Sequence, residues 1–103
     1  MWAQLIKMRL KAGSEADLPS LFEQFQEFEQ TGSGLIRTTL MRAQNDPSEF
    51  YVMVVFESEE HARARENDPV RQEAMKPAQQ MMAEIFEGQP EFVDLTVVAD
   101  MVQ

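Results

Sequence analysis

His61 is the only histidine in the chain. It is therefore the one side chain that changes charge near pH 7 without help from its surroundings. As a general base it would need a pocket and a substrate proton within hydrogen-bond reach. It falls at the third position of a helix that Ser58 is placed to cap, between Glu60 and Ala62. The plainer reading is an exposed first-turn residue. Arg65 lies four residues on, on the same helix face, where a surface ion pair with a nearby Glu is the ordinary role. Tyr51 and Trp2 can stack a flat ligand or donate to its oxygen, but they serve equally as packing residues at a dimer face or sheet edge. The chain has no cysteine, which removes thiol nucleophiles, thiolate metal sites and disulfides. No Asp/Glu/His spacing matches a metal site, and no bound metal is expected. Neither a glycine-rich phosphate loop nor a Gly-x-Ser-x-Gly elbow is present, so nucleotide binding and serine hydrolysis have no support.

The elements that must position these residues centre on residues 50–68, which read as a strand running straight into a helix. Phe50, Val52, Val54 and Phe56 fill one strand face, and Tyr51, Met53 and Val55 fill the other. Before it, residues 2–11 alternate at strand period. Trp2, Ile6, Met8 and Leu10 share one face, while Ala3, Leu5, Lys7, Arg9 and Lys11 share the other. Ser14 and Asp17 form a weak capping-box signal. Pro19 places the start of the regular helix near Leu18. Leu18, Leu21, Phe22, Phe25 and Phe28 then make a helical stripe, which Thr31-Gly32-Ser33-Gly34 closes. Residues 35–43 read as a second strand, joined to the third by a turn over residues 44–48 that favours an antiparallel hairpin.

After Ser58 the helix should run to about Glu66. Asn67-Asp68-Pro69 breaks it, a short piece follows over residues 70–75, and Pro77 allows a restart through Phe86. Gly88-Gln89-Pro90 is expected to end this region, and residues 92–101 to form the last strand. The order β-α-β-β-α-β is an α+β, ferredoxin-like arrangement. It predicts four antiparallel strands with the helices on one face.

That architecture leaves the other face open. Leu5, Tyr51, Met53 and Val55 fall there, and an apolar surface of that kind should be covered. A second copy of the chain is the expected cover, giving a homodimer closed sheet on sheet into a barrel. Lys7 and Arg9 alternate onto the same face. They are expected at its rim or paired with acids such as Glu57 or Asp94.

At 103 residues the chain is expected to be one domain. Residues 1–43 carry five Lys/Arg and five Asp/Glu, whereas residues 44–103 carry four against thirteen. The second part thus holds the whole net charge of −9, which repels phosphate backbones and argues against a nucleic-acid partner. No apolar run is long enough to span a membrane, and the N-terminal stretch lacks signal-peptide features. A cytoplasmic location is expected.

Phe56-Glu57-Ser58-Glu59-Glu60-His61, the helix after it, Asn67-Asp68-Pro69 and the next helical segment together resemble the dimeric α+β barrel superfamily, within the antibiotic-biosynthesis-monooxygenase-like group. The resemblance covers nearly the whole chain. It implies a homodimer and, in some members, oxidation of phenolic or quinol-like compounds by oxygen with no cofactor. It also places Arg65 where members often carry a helix histidine, and Val70 at a second such histidine. There Arg65 can hold an anionic or enolate-like oxygen. Other members degrade haem with an Asn, a Trp and a His. The matching positions here are Ile6, Arg65 and Met75, so that chemistry is not expected.

The resulting expectation is a cofactor-independent oxygenase of a small apolar or aromatic molecule, with no cofactor. His61 and Arg65 are its candidate catalytic residues. Ile6, Met8, Phe22, Phe25, Phe56 and Met75 are its candidate pocket, between sheet and helices. The alternative is a non-enzymatic homodimer of the same fold that binds a small ligand or another partner.

Overall fold

The structure, a computed structural model, describes residues 1–27 and 32–103. Phe28 and Thr31, assigned above to the helical stripe and its closing turn, lie outside the described residues. Among the described residues the order is β1 (Trp2–Leu10), a 3-10 turn (Glu15–Asp17), α1 (Leu18–Glu27), β2 (Leu35–Arg42), β3 (Glu49–Phe56), α2 (Glu59–Glu66), α3 (Pro69–Ala74), α4 (Lys76–Ile85) and β4 (Phe86–Thr96). The sheet order is β2-β3-β1-β4 with every neighbouring pair antiparallel. This is the ferredoxin-like α+β fold.

β3 shows why the sheet has two unlike faces. Phe50, Val52, Val54 and Phe56 are buried, because the helices cover their side. Leu18, Leu21, Ala62, Ala78 and Ile85 from those helices join them in one core. Tyr51, Met53 and Val55 are only half-buried. Register sets their neighbours: Leu5 stands opposite Met53 on one side and Val93 on the other, and Ala3 stands between Val55 and Leu95. The β2–β3 hairpin is closed by Asp46, whose carboxylate accepts from the Ser48 N–H at 3.0 Å.

Three local expectations are corrected. Ser14 makes no side-chain cap; the backbone closes a 3-10 turn there instead, with Asp17 N–H donating to Ser14 O at 3.0 Å. The last strand starts at Phe86 and stops at Thr96, so Gly88-Gln89-Pro90 lie within it and Val97 and Met101 lie beyond it. The pairs Lys7↔Glu91 and Arg9↔Glu87 leave residues 88–90 opposite Met8 alone. Gly88 takes φ 65° in that bulge, a value that suits glycine. Pro90 is tolerated because β4 is an edge strand. The strand stops where β1 runs out, since Trp2 is paired with Thr96.

Finally, Glu57 and Asp94 are not the partners of Lys7 and Arg9. Lys7 pairs with Glu91 at 3.7 Å, and Arg9 with Asp46 at 3.0 Å and Glu87 at 3.8 Å. Asp94 is opposite Gln4 and therefore on the helix-bearing face.

Candidate functional site

Between the sheet and the helices lies a cavity of about 140 Å³. Ile6 and Met8 of β1 and Val52 and Val54 of β3 form its floor, with Thr38 of β2 beside them. These residues reach it because alternate strand positions face the helices. Leu21, Phe22 and Phe25 of α1 form one wall, and Met82 and Phe86 another. The stripe at i, i+1 and i+4 puts all three α1 residues on one side of that helix. The rings of Phe22 and Phe25 stand 6.2 Å apart and tilted by 56°.

Two cations break this apolar lining. Arg65 enters from the last turn of α2 and Arg71 from α3. The Arg65 guanidinium lies over the Phe56 ring, 5.3 Å from its centre, a favourable cation–π placement. Burial, and after it the adjacent Arg71 charge, pushes Arg65 down to about 10. It remains protonated at neutral pH. Burial likewise lowers Arg71, against the opposing pull of Glu66 and Asp68. The Nε of Arg71 is buried and has no hydrogen-bond partner among the described residues.

α3 exists because the chain breaks at Asn67-Asp68-Pro69. The Asp68 carboxylate accepts from the Val70 N–H at 3.0 Å, and Pro69 takes a first-turn position where its missing N–H costs nothing. This break brings Arg71 beside Arg65. Six residues apart on one continuous helix they would point to different sides. The sequence reading therefore missed Arg71. The signal available was the break itself, with a capping Asp and a Pro three and two residues before the arginine.

Of the residues expected at the site, the cavity brings together Ile6, Met8, Phe22, Phe25 and Arg65. Phe56 is in the core beneath the Arg65 guanidinium, and Met75 is buried in the core; neither lines the cavity. His61 is not among the residues that line the cavity. Its ring Nδ1 is 2.6 Å from Ser58 Oγ and its Nε2 is 3.6 Å from Glu57. The ring lies against Gly34, in the turn before β2. Leu5, Tyr51, Met53 and Val55 share the sheet face turned away from the cavity. Among the described residues, no three His, Cys, Asp or Glu side chains are grouped so as to hold a metal ion. No helix among them is long and apolar enough to cross a membrane.

The family model described as antibiotic biosynthesis monooxygenase matches residues 1–77, a span that includes both arginines. No curated protein matches the sequence. Among solved structures, a mutant of SnoaB, a cofactor-independent oxygenase from Streptomyces nogalater, superposes with a TM-score of 0.77 at 15% identity, over 99% of this chain and 97% of that one. A protein of unknown function from Nitrosomonas europaea gives 0.73 at 20% identity, over 99% and 93% of the two chains. A mutant of MhuD with two manganese protoporphyrin IX molecules bound per active site gives 0.73 at 18% identity, over the full length of both. At these identities the likeness establishes the fold.

Proposed function

The chain belongs to the antibiotic biosynthesis monooxygenase family, and from that premise we propose that it is a cytoplasmic, homodimeric, cofactor-independent oxygenase of a small aromatic, phenolic or quinol-like compound. The observation that carries this reading is the apolar cavity with two guanidinium groups in its wall. Oxygen reacts without a metal or flavin only when the substrate is itself electron-rich, and the ionised form of a phenol or enol is the electron-rich one. The protein's work is to bind it, keep water out and stabilise its negative charge. A cation within about 4–6 Å lowers the pKa of an acidic group by about one to three units. A phenol near 10 is thereby brought towards the neutral range, and its proton passes to bulk water as the anion enters the cavity. For a substrate with an activated ring CH2, one oxygen atom becomes the carbonyl oxygen. The other leaves with both C–H hydrogens as water. All four electrons that oxygen takes up come from that carbon, so no outside reductant enters.

Oxygen uptake with a panel of hydroquinones and anthrone-like phenols between pH 6 and 9 tests this reading. Turnover above that of the denatured protein is expected, and its absence across the panel would sink the oxygenase. One observation favours the second reading, a non-enzymatic homodimer that binds a small ligand: among the described lining residues there is no carboxylate or imidazole to take a proton. Haem does not fit the residues present. Haem iron is held by a proximal His, a thiolate, a Tyr or a Met/His pair. Among the described lining residues the cavity offers only the thioethers of Met8 and Met82, and His61 is not one of them.

A further inference from the structure

Three features of the cavity define its ligand more narrowly than the family does. The first is size. An apolar cavity of about 150 Å³ is enough to hold benzene, so the roughly equal space here suits a single ring. The second is the wall, where Phe22, Phe25, Ile6 and Val54 offer apolar surface to both faces of such a ring. The third is Arg71. Its guanidinium is half-buried in the cavity wall, and the enclosed Nε–H lacks a partner among the described residues. An unmet donor on a charged group is costly. Among the described residues, the acids whose charge acts on Arg71 each hold another partner. Glu66 takes both its bonds from Arg63 at 3.2 Å, and the Asp68 carboxylate caps Val70. Arg65 adds like charge beside it.

We infer that the ligand is a single-ring aromatic carboxylate, its ring in the apolar cavity and its carboxylate on the fork of Arg71, with the charge of Arg65 adding to the attraction. This deepens the proposed function and rests on its reading of the cavity as the substrate site. A carboxylate matches the guanidinium because its two oxygens can take parallel N–H···O bonds from the two terminal nitrogens, whereas a neutral phenol or amide offers one acceptor at most to that fork. A lysine ammonium in the same place would be a point charge without that shape selection.

The test is calorimetric titration under nitrogen at pH 7.5 and low salt with 4-hydroxybenzoate and its uncharged isostere 4-hydroxybenzamide. The acid should bind about tenfold or more tightly than the amide, the margin of a hydrogen bond to a charged group. Arg71→Gln should bring that ratio close to one, and Arg71→Lys should leave an intermediate ratio. Equal affinities in the unmodified protein overturn the inference, and so does undetectable binding of both probes at millimolar concentration. Oxygen uptake is measured separately. An acid preference without turnover on any phenol supports the anion site and sinks the oxygenase. Turnover of neutral hydroquinones with no acid preference does the reverse.

Discussion

Gly34 and His61 show how one backbone position fixes a side chain that looked catalytic. Gly34 has φ 84°, and a Cβ built there would stand 2.6 Å from the His61 Cβ and 2.5 Å from its ring. Swinging the imidazole away cannot relieve the first contact. Gly34→Ala should therefore lose the left-handed backbone cost of about 1–2 kcal/mol and a steric term besides. Urea denaturation of the single variant and of Gly34→Ala with His61→Ala isolates the ring contact, since the double variant keeps the Cβ–Cβ contact and the backbone cost and should recover only the ring's share. Asp94 supports a second prediction. Its hydrogen bond from Gln4 at 2.9 Å, and then that from Arg63 at 2.8 Å, hold its carboxyl below the usual 3.8. Because the folded value is the lower one, the stabilisation is complete above 3.8 and is lost as pH falls below it towards the folded value. Asp94→Asn should flatten the fall in urea midpoint over that acid range, and an unchanged slope would refute the assignment. The chemistry of single residues was the least legible part of the sequence. Arg65 could be found from its place on α2. Arg71 was harder to find, because its neighbour is set by the break at Asn67-Asp68-Pro69 and not by helical spacing.

The helices that carry the two arginines owe their directions to caps. Ser58 accepts from the His61 N–H at 3.2 Å and starts α2; Asp68 does the same for α3 through Val70. Both caps were readable in advance, since Ser before Glu-Glu and Asp before Pro are strong start signals. α3 has six residues, too few to hold itself together without its cap and its packing. Asp68→Ala should cost about 1 kcal/mol and weaken the acid preference of the cavity by loosening Arg71. Chemical denaturation paired with the benzoate titration checks both effects, and a stable variant with unaltered preference would show that α3 is held by packing alone. The strands were equally legible where alternation was clean, as in β1 and β3. β4 was not, because Gly88 and Pro90 look like a terminus in sequence. What makes them a bulge is the pairing of β1 on both flanks of the irregularity, a contact some 80 residues distant in the chain.

At the scale of the whole molecule, the doubly apolar β3 asks for cover on both sides, and the helices supply only one. On the other side Leu5, Met53, Val55 and Val93 form adjoining rows, extended by Met41 and Leu95, which are 41% and 37% exposed. Most charges on this face are gathered towards the end of β1 that carries Lys7 and Arg9, and there they are already matched; Arg37, opposite Val55 on the edge strand β2, is the exception. Lys7 reaches Glu91, Arg9 reaches Asp46 and Glu87, and the Tyr51 hydroxyl donates to Glu49 at 2.5 Å. Covering the face would therefore strand neither Lys7 nor Arg9, the usual objection to burying a surface with such residues on it, and would leave Arg37 to stay at the rim or find an acid on the covering surface. A second copy of the chain is the expected cover. If each protomer buries ~800 Å² there, at ~25 cal/mol per Å² the gross hydrophobic gain is about 20 kcal/mol before association costs. A dimer dominant at micromolar concentration needs about 8 kcal/mol of that gain to survive those costs. Met53→Asp and Val55→Asp each place an unpaired charge among those rows and should yield monomer or insoluble protein. Sedimentation equilibrium on the unmodified chain is the direct measurement. A stable monomer at low micromolar concentration would remove the dimer and leave the apolar side of β3 exposed to water without a reason.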